Sequence, residues 1–173
     1  MGNRLYQLID SIILNPITPL KLKLLQKLFN RGIPFNLPHN FKFLLVTKYK
    51  TVLELPLIYK NKNHLGGIHA CAIATLGEYP AGLLIIKNIG ATKYRIILEN
   101  LNVDYKKQGR EDLLGIVEVN RDDVIAFKER LESEGKGSVT LQTKVLSKSD
   151  RSEVAIVTTK WQLKDWKTVK FKG

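Results

Sequence analysis

One segment of the sequence constrains the fold more than any other. Residues 69–86 form an 18-residue stretch in which Glu78 is the single Asp, Glu, Lys or Arg. The stretch is rich in Ala and Leu and long enough for about five turns of helix. A carboxylate at the midplane of a bilayer is costly, which argues against a transmembrane helix. The pattern predicts instead a helix buried in the core of a soluble protein, which we expect to be cytoplasmic.

Two short helices are predicted before the first strand, over residues 3–14 and 19–30, because apolar residues recur there at helical spacing. The apolar stripe of the second helix is expected to pack on the domain; it consists of Leu20, Leu24, Leu25, Leu28 and Phe29. A basic amphipathic helix of this kind can alternatively lie on a membrane or bind a partner. Together these helices form an N-terminal extension, residues 1–40.

Strand-like composition dominates the rest of the chain. The predicted strands are residues 41–48, 51–59, 94–105, 115–119, 139–147 and 154–163, with a helix over residues 121–134. One buried helix embraced by an antiparallel sheet accounts for this order, so the predicted class is α+β. We expect a single domain over residues 1–173, with its core in residues 41–165.

The charge of the chain is large but unevenly placed. The formal net charge is +12, and residues 1–63 carry ten Lys or Arg against two Asp or Glu. Such an excess suits a polyanionic partner or a solubilising surface. Arginine side chains recognise base edges and exposed aromatic side chains stack on bases, but neither type of residue is enriched here. No nucleic-acid partner is therefore expected. A single cysteine, Cys71, excludes a disulfide scaffold and a cysteine-rich zinc module, and no metal or cofactor is expected.

The residues that point to chemistry lie in a polar loop and in the helix that follows it. The loop contains Asn63, Gly66 and His69, and Glu78 is the one acidic residue between Lys60 and Tyr94. N–H groups in the first turn of a helix have no internal partner and can bind a developing oxyanion. A partly desolvated carboxylate can serve as nucleophile or general base. Alternatively, Glu78 lies on a hydrated face or pairs with a lysine.

The pattern Asn-x-x-Gly-x-x-His followed by an acid resembles the hotdog-fold thioesterases of the 4-hydroxybenzoyl-CoA and phenylacetyl-CoA type. Asn63, Gly66, His69 and Glu78 fall in register with that motif. The two N-terminal helices resemble a branch catalogued as a thioesterase-like domain of unknown function. The resemblance in layout covers roughly residues 35–165 and implies a hotdog fold, an antiparallel sheet wrapped around a central apolar helix.

The resemblance also implies roles for individual residues. Glu78 is expected to act as nucleophile or general base on a thioester, and the backbone N–H of Ala70 to polarise its carbonyl. Asn63 is expected to position water or substrate, His69 to shape the loop, and Gly66 to admit the substrate close to the backbone. Each of these three loop residues can alternatively be a plain turn or structural residue.

The sequence departs from the family pattern at two points. The family's Gly-Gly pair is Ala70-Cys71 here, and Pro80 lies inside the helix that carries Glu78, where it is expected to tilt that helix. The methyl group of Ala70 would crowd a thioester, and Cys71 is interpreted as a small packing residue. Either departure is compatible with a member that binds acyl groups without hydrolysing them.

The leading hypothesis is therefore an acyl-thioester hydrolase whose partner is an acyl-CoA or an acyl-carrier-protein thioester. The alternatives are a non-catalytic acyl-CoA or lipid-binding hotdog protein and a lysine-driven polyanion binder. By analogy with the family we expect a homodimer or a dimer of dimers, with residues 94–105 at the interface and the active site shared between chains. The basic ends of the chain would then attract the phosphates of the carrier.

Overall fold

The structure is a computed structural model that describes residues 2–169. Met1 and residues 170–173, the two ends of the predicted domain, lie outside the described residues. The helices are α1 (Gly2–Ile13), α2 (Pro19–Gly32), α3 (Ala70–Ile89) and α4 (Arg121–Glu134). The strands are β1 (Lys42–Val46), β2 (Lys50–Leu55), β3 (Tyr94–Tyr105), β4 (Leu113–Glu118), β5 (Lys136–Ser147) and β6 (Glu153–Asp165). Short 3-10 helices cover Pro34–His39, Tyr59–Asn61 and Trp166–Thr168.

The six strands form one antiparallel sheet in the order β1-β2-β4-β5-β6-β3. Helix α3 contacts all six strands, so the sheet wraps around it. This is the predicted α+β arrangement. By length and composition α3 could cross a membrane, but 61% of its most apolar window is buried inside the protein. The expectation of a buried core helix is confirmed.

Helix α3 approaches the sheet closely near its middle. A Cβ atom on Gly77 would lie 2.2 Å from Cγ2 of Val157, and the hydroxyl of Thr143 donates a 2.7 Å hydrogen bond to the carbonyl of Gly77. Pro80 has no N–H to donate to the carbonyl of Leu76. Gly115 of β4 comes so near that oxygen that a Cβ atom there would lie 2.5 Å from it. The absence of side chains at positions 77 and 115 therefore lets the helix and the sheet touch.

Hydrogen bonds join the N-terminal extension to the C-terminal end of α3. Lys87 is buried and donates hydrogen bonds to the carbonyls of Ile13 (2.5 Å) and Asn15 (2.8 Å), where α1 ends. The carboxylate of Asp10 accepts hydrogen bonds from the N–H groups of Ala91 (2.6 Å) and Thr92 (3.1 Å). Carbonyls at the end of a helix lack internal partners, so Lys87 satisfies groups that would otherwise be buried unpaired.

Strand β2 is shorter than predicted. The prediction extended it over residues 51–59, but it ends at Leu55. Pro56 follows directly and cannot donate to a sheet ladder. The next N–H, that of Leu57, donates 2.9 Å to the carboxylate of Asp112 instead of to a strand. The chain then turns into the 3-10 helix Tyr59–Asn61, which leads into the loop before α3.

The expected apolar stripe of α2 is only partly buried. Leu25 and Phe29 are buried, whereas Leu20 and Leu24 are 77% and 44% exposed. With about 100° of rotation per residue, Leu20 and Leu24 lie about 100° or more around the helix from Leu25. Helix α2 contacts α1, β1 and the following 3-10 helix along one narrow side only. The expectation that Leu20 and Leu24 pack inward is therefore wrong.

The close contact at Gly77 generates a prediction. Gly77→Ala would place a methyl group inside the Val157 side chain, so we expect a loss of about 1–3 kcal/mol in the free energy of unfolding. Urea unfolding monitored by circular dichroism measures this change in the free energy of unfolding. Gly32→Ala is the matched control, because its Cβ would meet only Leu5 Cδ2 at 3.4 Å and alanine favours helix. Equal stabilities for Gly77→Ala and the wild type would contradict this account of the packing.

Candidate active site

The loop before α3 is held by a buried amide that the sequence analysis did not single out. Asn61 is fully buried, and its Nδ2 donates to the carbonyls of Pro56 (2.8 Å) and His39 (3.0 Å). Its Oδ1 lies 2.8 Å from His39 Nδ1, and its backbone carbonyl accepts from the N–H of His69 (2.7 Å). Asn61 and Asn63 stand in one polar run, so only burial in the folded chain distinguishes them.

Asn63 and Gly66 build a tight turn inside this loop. The Oδ1 of Asn63 accepts the N–H of Leu65 (2.9 Å), and the Asn63 carbonyl accepts the N–H of Gly66 (3.1 Å). Gly66 has φ +80°, a left-handed conformation that glycine adopts at little cost. Asn63 is partly buried and Gly66 is exposed. Both residues therefore make the contacts of plain turn residues. The amide nitrogen of Asn63 has no hydrogen-bond partner among residues 2–169 and can bind another group.

His69 caps the start of α3. Its Nδ1 accepts a hydrogen bond from the N–H of Cys71 at 3.1 Å, which places the proton of a neutral imidazole on Nε2. Ala70 is exposed at the first helical position, and within residues 2–169 its N–H meets no hydrogen-bond acceptor. Its carbonyl accepts from the hydroxyl of Tyr105, at the end of β3, at 2.9 Å. The predicted oxyanion donor is therefore free to bind a ligand.

Glu78 lies two turns further along α3, on the wall of a cavity of about 530 Å³. One face of the helix lines this cavity, since its residues recur at helical spacing: Cys71, Thr75, Glu78, Gly82 and Ile86. Ile96 and Leu98 of β3 form the opposite wall, and Phe29 of α2 and Phe35 close one side. The lining is largely apolar, as expected for a pocket that receives a hydrocarbon group.

The environment of Glu78 alters its acidity. The side chain is partly buried, and it forms no hydrogen bond or ion pair with any residue that the structure describes. Burial raises the pKa of Glu78 from 4.5 to about 7, because the charged form loses hydration. The carboxyl group therefore exchanges a proton near neutral pH, which a general base requires. The alternative that a lysine pairs with Glu78 is not what the structure shows.

The structure separates the predicted site residues into two groups. Asn63, Gly66, His69 and Ala70 gather at the start of α3, whereas Glu78 lies in the cavity, which none of those four lines. Eight residues of α-helix separate Ala70 from Glu78, or about 12 Å along the axis. A thioester carbonyl in contact with the Ala70 N–H of one chain is therefore out of reach of the Glu78 of that chain.

Cys71 differs from its expected packing role. It is exposed and lines the cavity, because it lies on the same helix face as Glu78 and not on the face that meets the sheet. Cys71 and Thr75 precede Glu78 by seven and three residues, so helical spacing from the carboxylate could have located both. Asn36 and Trp161 also line the cavity, but they come from distant segments, and no local pattern indicates them.

Tyr79 and Trp161 line this cavity, and each carries a buried polar atom. The indole Nε1 of Trp161 has no hydrogen-bond partner among the described residues, and the hydroxyl of Tyr79 lies near the Asn36 side chain without forming a hydrogen bond of good geometry. Burial, together with the neighbouring Glu78, raises the pKa of Tyr79 and outweighs the opposing effect of Asn36, so the hydroxyl stays protonated. In the described part of the chain, no group of three or more His, Cys, Asp or Glu side chains is placed to hold a metal ion.

The raised pKa of Glu78 predicts a dependence of stability on pH. The folded chain favours the protonated carboxyl, so this contribution is fully present below about pH 4.5 and is lost as the pH rises through about 7. Glu78→Gln abolishes this loss, because glutamine does not ionise. We therefore expect the substitution to change the free energy of unfolding more favourably at about pH 8 than at about pH 4, by on the order of 2 kcal/mol.

Urea unfolding at the two pH values, compared with the wild type, provides the measurement. Glu129→Gln, which neutralises an exposed carboxylate on α4, is the control and should show no such difference. A Glu78→Gln effect that is equal at both pH values would mean that the carboxyl group titrates normally.

Comparison with solved structures supports the fold. A Pseudomonas aeruginosa protein of unknown function, PA5026, described as a probable thioesterase, is 19% identical with a TM-score of 0.75 over 83% of this chain and 95% of that one. Zebra fish thioesterase superfamily member 2 is 16% identical with a TM-score of 0.67 over 85% and 99%. A variant of the thioesterase enzyme SAV0944 from Staphylococcus aureus is 16% identical with a TM-score of 0.63 over 76% and 98%.

At these identities the likeness establishes the hotdog fold, and the expectation of a thioesterase-like hotdog architecture is confirmed. No curated protein sequence matches the chain. The family comparison is more direct, since one family model matches residues 22–163 and so spans most of the sequence. The chain thus belongs to the family described as a domain of unknown function, DUF4442.

Proposed function

We propose that this protein hydrolyses acyl thioesters and that Glu78 is its catalytic carboxylate. The observation that carries the proposal is an unpaired carboxyl group with a pKa of about 7 on the wall of an apolar cavity. Such a group can act on a thioester whose acyl chain occupies the cavity. The likeness in fold to proteins called thioesterases supports the same class of substrate.

The reaction can be written with Glu78 as general base. Ionised Glu78 takes a proton from a water molecule, and the water oxygen adds to the thioester carbonyl carbon. The N–H of an Ala70 donates to the resulting oxyanion. The carbon–sulfur bond then breaks, the thiolate leaves, and the proton held by Glu78 passes to sulfur. The products are a carboxylic acid and a free thiol. With Glu78 as nucleophile, a mixed anhydride forms first and water cleaves it.

The 12 Å separation within one chain supports a site shared between two chains. The N–H of Ala70 and the carboxylate of Glu78 can meet one thioester only if different chains supply them. The sheet has two edge strands, β1 and β3. Helix α2 packs on β1, whereas β3 pairs with β6 alone and exposes Ile97, Leu101 and Tyr105, so a second chain can add at β3. We therefore propose a homodimer that joins through residues 94–105.

Binding of acyl thioesters without hydrolysis is the second candidate function. One observation favours it: Ala70 and Cys71 replace the Gly-Gly expected at the helix start, and the Ala70 methyl group stands beside the proposed oxyanion donor. Calorimetry with palmitoyl-CoA distinguishes the two functions, because binding without any release of thiol supports this candidate and opposes the first.

The catalytic proposal predicts thiol release that depends on Glu78. The purified protein is incubated with butyryl-, octanoyl-, dodecanoyl- and palmitoyl-CoA and with acylated carrier protein, and free thiol is followed. Glu78→Gln should lower kcat by at least about a hundredfold, because the general base is lost while its shape is kept. Glu129→Gln, which neutralises an exposed carboxylate on α4, is the control. No thiol release from any substrate, or full activity in Glu78→Gln, would refute the assignment.

The same assay predicts a pH profile. Because Glu78 acts as the carboxylate, kcat/KM should rise with pH and level off above a midpoint near 7. A midpoint close to that of an ordinary glutamate would show that the carboxyl group is not held in the cavity as described.

The shared site predicts complementation between inactive chains. Ala70→Pro removes the N–H at the first helical position, where proline is tolerated, and Glu78→Ala removes the carboxylate. Mixed dimers of the two variants hold one intact site in two, so a remixed sample should recover about a quarter of wild-type activity. Each variant alone, refolded in the same way, is the control. If no activity returns although mixed dimers form, the shared site is excluded.

A further inference from the structure

The outer side of α2 alternates leucine and cationic side chains. Leu20 and Leu24 are 77% and 44% exposed, and Lys23 and Lys27 beside them are exposed as well. These four residues recur at i, i+3, i+4 and i+7, so they share one face of the helix. The buried residues of α2, Leu25 and Phe29, point to the other side. The side chain of Leu20 is therefore mostly exposed to solvent, and that of Leu24 is partly exposed.

Strand β1 carries a second pair of exposed leucines. The pairing of β1 with β2 shifts between Phe43 and Leu45, so one extra residue bulges from the strand. As a result Leu44 and Leu45 are both exposed, at 46% and 38%, instead of alternating sides. They line a groove with Leu22, which lies on the side of α2 turned toward β1, so this pair is separate from the outer face of the helix. We call Leu20, Lys23, Leu24 and Lys27 together the leucine–lysine face.

Among residues 2–169, neither Lys23 nor Lys27 forms an ion pair with an acidic side chain. Residues 1–63 contain ten Lys or Arg and only two acidic residues. Asp10 accepts hydrogen bonds from the backbone where α3 ends, and buried Glu54 pairs with Lys42 and Lys148. Hydrogen bonding and pairing with Lys42 and Lys148 outweigh burial and lower the pKa of Glu54, so its charge is already neutralised by that pair. The leucine–lysine face therefore presents positive charge that remains available to an anionic partner.

We propose that the leucine–lysine face docks on the surface of a bilayer that contains anionic lipid. The leucines would enter the boundary between headgroups and acyl chains, while the lysines extend to the lipid phosphates. The protein would lie on the membrane and not span it, because its long apolar helix is occupied by the sheet. Phe35, which is 66% exposed and follows the C-terminal end of α2, lines the cavity that holds Glu78, so this cavity lies beyond the end of the docked helix.

A bilayer fits this face better than an acidic protein does. The leucines and lysines are interleaved along one helix face, so an apolar lysine stem lies beside each leucine. When this face lies on a bilayer, the leucines can enter the acyl boundary while the lysine stems bend outward and bring their ammonium groups to the headgroup phosphates. This inference uses no property of Glu78 and stands apart from the proposed hydrolysis.

The test is sedimentation with vesicles of phosphatidylcholine alone or mixed with phosphatidylglycerol. The full chain should bind the mixed vesicles, bind phosphatidylcholine weakly, and dissociate as salt is raised. Leu20→Gln/Leu24→Gln and Lys23→Gln/Lys27→Gln should each weaken partitioning by at least about tenfold. The control is Ile125→Gln/Lys128→Gln on α4, which removes one apolar and one cationic side chain from another helix and should bind as the wild type does.

Circular dichroism confirms that each variant is folded, and light scattering gives its oligomeric state. Three results would overturn the proposal: no binding to the mixed vesicles, undiminished binding by the Leu20/Leu24 variant, or an equal loss in the α4 control. An oligomer that dissociates in the Leu20/Leu24 variant would also overturn it, because the leucine–lysine face would then be an interface between copies of the chain.

Discussion

The contact between α3 and the sheet determines the rest of the architecture. The helix meets every strand, and at Gly77 and Gly115 backbone lies almost directly on its neighbour. A sheet that follows a helix so closely must curve around it. The side of α3 that carries Glu78 is packed less tightly, and the cavity lies there, between the helix, β3 and the end of α2. The position of the pocket is thus a result of how tightly the opposite side is packed.

Glu78 illustrates how such a fold retains a group that weakens it. Burial disfavours the carboxylate, and the described residues offer it no cation or hydrogen-bond donor in return. The helix nevertheless holds the residue in place, because its neighbours Leu76, Gly77 and Pro80 are buried against the strands. Well-packed surroundings that support an unfavourable polar group are typical of functional sites. Folding does not favour the charged form of this carboxyl group, which is consistent with the catalytic role that we propose for it.

Much of the fold could be predicted from the sequence because its elements are long and locally consistent. The bounds of β3 and α4 were as predicted, and α3 was recognised from its lack of charge. The errors have a common physical cause in long-range contacts. Asp112, far along the chain, takes the N–H of Leu57 beyond the end of β2, and the limited contact surface of α2 leaves Leu20 exposed.

The candidate site was harder to predict than the fold. Glu78 stands out locally, but the importance of Asn61 over Asn63, and the remote residues Asn36 and Trp161, depend on burial that only tertiary structure creates. The splitting of the site was visible from helix geometry alone, since eight residues of helix fix the distance between Ala70 and Glu78. Spacing in a motif therefore indicated candidate residues, while leaving open whether one chain or two would bring them to a substrate.

The peptide group between Ala70 and Cys71 is held on both sides. Its oxygen accepts from the Tyr105 hydroxyl, and its N–H donates to His69 Nδ1. The peptide plane cannot rotate without breaking one of these bonds, so the last residue of β3 and the helix cap together orient the amide groups of the first turn. A ligand arriving there would meet dipoles that are already aligned, with little reorganisation left to perform. The strand edge and the start of the helix thus form one preorganised unit, in which any shift of β3 would redirect the first turn of α3.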